Sequence, residues 1–147
     1  MPQVDVKLVI NAPIDEIWAA VRDVESYPTY MDNVIDVRVD SPEPNGDRLS
    51  TWSVLLKGSV LEWTERERVD DAAHRIEFDQ TDGDLDVFTG YWQLTETDGG
   101  VEAVLAVDFE IGLPLLADML NPVAAQALSD NSEQMLREIE RRVAAAA

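Results

Sequence analysis

The sequence predicts an α+β fold: a curved antiparallel sheet of about six or seven strands round one long C-terminal helix. Three observations predict it. From residue 34 to residue 111, stretches with apolar residues at every second position follow one another, joined by short polar turns. Beyond residue 114 the apolar period changes to three and four, the spacing of a helix face. Between an isolated first strand and the run of strands lie two short segments with helix-start signals.

Val4, Val6, Leu8 and Ile10 alternate with Asp5 and Lys7, the pattern of a half-buried strand. Asn11, Ala12 and Pro13 then open a helix, because proline's missing N–H has no partner in a first turn anyway. Asp15 and Glu16 carry the sign that the helix dipole favours there. Ile14, Ile17, Trp18 and Val21 form its apolar stripe. The stretch Asp23–Pro28 breaks this helix, and residues 29–33 form a second short turn.

Ile35, Val37 and Val39 alternate with Asp36 and Arg38 in a β-branched run. Pro42, Pro44 and Gly46 mark a turn. Further strands are expected over Arg48–Lys57, Val60–Val69, His74–Gln80, Leu85–Thr95 and Val101–Ile111. Their connectors, around Gly58, Ala72, Gly83 and Gly99, are short enough to imply an antiparallel meander. Gly112 and Pro114 end the sheet. Leu116, Leu120, Val123, Ala127, Asn131, Met135 and Ile139 then recur at helical steps, and Pro122 should kink or divide this helix. The run Ala144–Ala147 is expected to fray. No repeat or linker interrupts the chain, so residues 1–147 are expected to form a single domain. Only the last helix is long enough to cover the apolar sheet face. That arrangement is a helix grip, which commonly leaves a gap between sheet and helix.

Composition narrows the function. Hydrophobic residues make up 46% of the chain, enough for a real core. The formal charge of −19 argues against nucleic acid as a partner, since binding phosphate backbones needs basic patches, and against docking on anionic membranes. With no cysteine, disulfide and thiolate chemistry are excluded; with one histidine, a multi-histidine metal site is excluded within one chain. No cofactor is expected. No stretch approaches the roughly 20 apolar residues of a membrane span, and the N-terminus lacks a signal-peptide pattern, so a cytoplasmic protein is expected. His74 begins a strand beside a turn and carries no expected role.

Three phrases resemble a known family. Ala12, Pro13, Asp15, Ile17 and Trp18, then Asp23–Pro28, then Tyr30, Met31, Asn33 and Val34 look like the opening of the START-like (SRPBCC) superfamily. Its polyketide cyclase/aromatase and coenzyme Q-binding branches, and Bet v 1, share the helix-grip fold. The order of elements agrees over essentially the whole chain. Glu67, Arg68, Val69 and Asp70, and Asn131, Ser132 and Met135, further resemble bacterial aromatase/cyclases of aromatic polyketide pathways. The resemblance implies a cavity that folds a poly-β-ketone and promotes aldol closure and dehydration. It implies Arg68 as the carbonyl-polarising arginine, and an acyl carrier protein as a further partner. It equally implies a non-catalytic carrier of a hydrophobic molecule such as a quinone or lipid.

Candidate site residues follow from strand parity. Trp52, Val54 and Leu56 share one face; Leu61, Trp63 and Glu65 share another; so do Phe88, Gly90 and Trp92. With Phe78, the aromatic residues either fill a core or stack on a flat ligand. Glu65 falls on the same face. It is either an acid whose desolvation suits it to proton transfer, or a carboxylate that is solvated or paired. Arg68 has the opposite parity to Trp63 and Glu65, so both faces point inward only if a bulge intervenes. Gln80 either hydrogen-bonds a ligand carbonyl or satisfies a backbone group. Tyr27, Tyr30 and Met31 either form a cavity mouth or cap the core. Asn131 interrupts the apolar helix stripe, where a polar group needs a partner: ligand or water.

Overall fold

A computed structural model describes the backbone of residues 3–42, 47–56, 59–110 and 114–146, and the side chains of residues 3–40, 47–56, 60–110 and 122–144. The expected turn residues Pro44 and Gly46, the connector Gly58, the sheet end at Gly112, Ala147 and the stripe side chains of Leu116 and Leu120 lie outside these residues.

Strand β1 (Gln3–Ile10) leads through α1 (Ile14–Arg22), a 3-10 turn (Val24–Ser26) and the single-turn α2 (Tyr27–Tyr30). Six strands follow: β2 (Val34–Pro42), β3 (Asp47–Leu56), β4 (Ser59–Asp70), β5 (Arg75–Gly83), β6 (Val87–Thr97) and β7 (Gly100–Glu110). The chain closes with α3 (Pro114–Ala146). The seven strands form one curved antiparallel sheet in the order β1-β7-β6-β5-β4-β3-β2. Strands β2 to β7 are therefore a meander, and β1 pairs back onto β7. The short helices carry the chain from one sheet edge to the other, which is why they sit at one end. This is the expected helix-grip arrangement.

Pro13 precedes α1, and Ile17, Trp18, Ala20 and Val21 turn inward from it. Helix α3 packs on β1, β7 and β3, and against α1. Its buried positions Leu128, Ser132, Met135, Leu136, Ile139 and Val143 follow the helical period. The helix runs on without division through Pro122, which stands exposed to solvent. There a proline ring removes one backbone bond without disturbing packing. Val123 was expected on the inner stripe, but it is 60% exposed, because its neighbours Ala127 and Leu128 set the face that meets the sheet. No described helix is long and apolar enough to cross a membrane.

One register detail positions the site. Thr64 pairs with Asp82 and Glu65 with Gln80, so β5 carries an unpaired residue at Thr81. The bulge is on β5, not β4, and the alternation of β4 is unbroken.

Candidate functional site: an aromatic cavity with a buried carboxyl pair

Strands β3 and β4 build one wall by direct cross-strand pairing. Trp52 lies opposite Trp63, and Val54 opposite Leu61. The two indoles stack, with centroids 5.7 Å apart and planes 4° from parallel. The Trp63 ring meets Phe88 at 4.9 Å, and Phe88 meets Phe78 at 5.7 Å. Trp92, Leu105 and Val107 continue the wall, and Leu128, Asn131, Ser132 and Met135 of α3 face it. The enclosed space between them is about 50 Å³, enough for a few waters. A flat polycyclic molecule therefore enters only if aromatic side chains turn aside. Gly90 adds no room for it: a Cβ there would collide with the Ala106 carbonyl oxygen, so this glycine allows close strand approach.

The same ladder continues as polar pairs. Ser50 lies opposite Glu65, and Arg48 opposite Glu67. All four share the inner face with the two tryptophans, since each step is two residues. Trp52 Nε1 donates to Ser50 Oγ at 2.8 Å, and Trp63 Nε1 donates to Glu65 Oε1 at 2.7 Å. Arg48 Nε donates to Glu67 Oε1 at 2.6 Å, and its Nη1 donates to the Arg22 carbonyl at 3.0 Å. Glu65 and Glu67 are 3% and 2% exposed. Burial pushes the Glu65 carboxyl well above the usual carboxylate range. The charge of Glu67 and a hydrogen bond with it push the same way, against the Trp63 indole and Arg48.

Seven of the expected site residues meet at this cavity: Trp52, Trp63, Glu65, Phe78, Phe88, Trp92 and Asn131. The Asn131 amide nitrogen donates to Met135 Sδ at 3.7 Å, while its Oδ1 is buried with no partner among the described residues. Five others lie elsewhere. Arg68 follows the unbroken alternation of β4 to the outer face, where its side chain is 73% exposed near Asp47. Tyr27 and Met31 are fully buried core rather than a mouth, the Tyr27 hydroxyl donating to the Val21 carbonyl at 2.6 Å. Tyr30 packs under the Arg142 guanidinium, 4.6 Å from its ring centroid. Gln80 Nε2 donates to the Leu85 carbonyl at 2.6 Å, so it serves the backbone. Three polar residues of the site were not among the expected site residues: Arg48, Ser50 and Glu67, the last appearing only within the resembling phrase. Parity carried the signal, since each stands two or four residues from Trp52 or Trp63.

Comparisons with known proteins agree with this architecture. A protein of Thermus thermophilus matches with a TM-score of 0.91 and 27% identity, over 99% of both chains. The Zhui aromatase/cyclase of a Streptomyces species matches with a TM-score of 0.82 and 20% identity, over 97% of this chain and 93% of its own. A START superfamily protein of Mycobacterium smegmatis matches with a TM-score of 0.83 and 17% identity, over 99% of both chains. At such identities the last two likenesses speak for the fold alone. No curated protein matches by sequence. The family described as polyketide cyclase / dehydrase and lipid transport matches residues 10–136. With most of its length inside that match, the chain belongs to the polyketide cyclase / dehydrase and lipid transport family.

Proposed function

We propose that the chain binds a hydrophobic, carbonyl-bearing molecule of polyketide type and promotes its aldol closure and dehydration, with Glu65 as the acid. One observation carries this. Among the described lining residues Glu65 is the ionisable one, and its surroundings favour the protonated form. A protonated carboxyl can donate to a ligand carbonyl or to a departing hydroxyl. In dehydration the proton of Glu65 goes to the hydroxyl as the carbon–oxygen bond breaks, and water leaves. The resulting carboxylate takes the α-proton, so the acid is restored. Protons alone move, and the step requires no redox cofactor. The aromatic walls would hold the chain folded, and orientation would supply most of the rate. An acyl carrier protein would be the delivering partner.

A second function, carriage of a quinone or lipid, is favoured by the contacts Glu65 already makes with Trp63 and Glu67. A carboxyl so held can anchor a polar head group without transferring a proton. Tryptophan fluorescence with an aromatic polyketide, a long-chain quinone and a fatty acid separates the two. Preference for the polyketide, with turnover lost in Glu65→Gln and affinity spared, supports the cyclase. Preference for the quinone or fatty acid, with Glu65→Gln altering affinity alone, refutes it.

A further inference from the structure

Two carboxyl groups and one guanidinium lie buried beneath the aromatic cavity, on neighbouring rungs of a single strand pair. We propose that Glu65 and Glu67 act as one unit that holds a single proton, with Arg48 as the positioning residue that fixes this count. The proposal rests on Glu65 being the cavity acid.

Charge balance argues for one proton. The two side chains are two residues apart on β4, so both point to the inner face. Both are almost wholly buried, and the Arg48 side chain is 13% exposed. With no proton, two carboxylates face one guanidinium and leave a buried negative charge without a partner. With two protons, the 2.6 Å ion pair between Arg48 and Glu67 is lost and the guanidinium is the orphan. With one proton the cluster is neutral and both carboxyls are hydrogen-bonded; the guanidinium donates through Nε and Nη1, while its buried Nη2 has no partner among the described residues. Neighbouring carboxyls that share a site behave in this way, titrating as a pair rather than singly.

The surroundings supply no competing charge among the described residues. From α2, Tyr27 faces the cluster, its hydroxyl occupied by the Val21 carbonyl. From β3 come Arg48 and the neutral Ser50; from β5, Gln80 lies opposite Glu65 with its amide turned to Leu85. Helix α3 contributes Asn131 and Ser132 to the cavity above, both neutral. The raised Glu65 carboxyl agrees with this arrangement, since Glu67 opposes and Arg48 assists its ionisation.

The consequence is mechanistic. When Glu65 gives its proton to a ligand, the pair is left with two negative charges. It then draws a proton back strongly, and the α-hydrogen of the same ligand is the nearest source. Arg48 and Glu67 touch no ligand in this scheme; they hold Glu65 ready to give and to recover the same proton.

Infrared titration of the ligand-free protein tests this, read at the C=O band of protonated carboxyl groups. Wild type should show one such group at pH values above the ordinary carboxylate range, absent in Glu65→Gln. Its midpoint should move down in Glu67→Gln and up in Arg48→Gln. Arg48→Lys, which keeps the charge, should restore the wild-type midpoint and covers the case in which Arg48→Gln does not fold. No protonated band in wild type overturns the proposal, and so does an unchanged midpoint in Glu67→Gln. Turnover that survives Glu65→Gln, with the titration as expected, would instead refute Glu65 as the acid of the proposed reaction and leave the shared proton standing.

Discussion

Replacing Glu65 with glutamine should change how stability depends on pH, and the slope can be worked from burial alone. Glu65 is 3% exposed and its carboxyl lies well above the usual carboxylate range in the folded chain. The unfolded chain has no such burial. Between the ordinary value and the raised one, the native state therefore holds one proton that the unfolded state has lost. Stability from this group is fully present below the ordinary carboxylate range, and is lost as pH rises through that window. A difference of one proton corresponds to about 1.4 kcal/mol per pH unit. Glutamine does not titrate, and its amide oxygen can still accept from the Trp63 indole. So the variant should match wild type in slope at acid pH. Above it, the variant should gain on wild type by about 1.4 kcal/mol for each pH unit, until the native carboxyl ionises. Urea unfolding at half-unit steps measures this directly. Acids away from this pair titrate in both proteins and cancel in the difference. Parallel stability curves would refute the assignment of Glu65 as a group that burial keeps protonated.

Three further outcomes are expected. Trp52→Ala removes an indole that is 4% exposed and stacked on Trp63, and should cost about 3–5 kcal/mol in urea unfolding. Gly90→Ala drives a Cβ into the Ala106 carbonyl oxygen of the neighbouring strand, which cannot rotate away; a loss of about 1–3 kcal/mol is expected by the same assay. Arg68→Ala lies on the outer face and should change stability by no more than about 0.5 kcal/mol. Ligand affinity in the fluorescence titration should be unchanged by it, and a marked drop would return Arg68 to the site.

Much of the candidate site was legible because strands report their faces through parity. Trp52, Trp63, Glu65, Phe88 and Trp92 were placed on one side by counting in twos, and they line one cavity. Arg68 shows the converse. Parity set it against Glu65, resemblance set it in the site, and the unbroken alternation of β4 carries it outward. Helical segments were harder to read. In the 3-10 turn and α2, three residues per turn and one turn give no lasting periodicity, so Tyr27 and Met31 could be mouth or core. Their burial at 0% and 1% makes them core. For Gln80, the deciding fact is its hydrogen bond to the Leu85 carbonyl across the turn, which no composition signal announces.

The sequence by itself determined the strand and helix order, the exclusion of thiolate and multi-histidine chemistry, and which residues of each strand travel together. Those follow from local rules: backbone period, turn chemistry and residue count. Tertiary structure decided which face met the helix, how little room the aromatic rings leave, and that Arg48 on β3 reaches Glu67 on β4. Such facts depend on pairing between distant segments. Parity says that Arg48 and Glu67 each have a side, but only the strand register, residue 48 opposite residue 67, brings them within 2.6 Å.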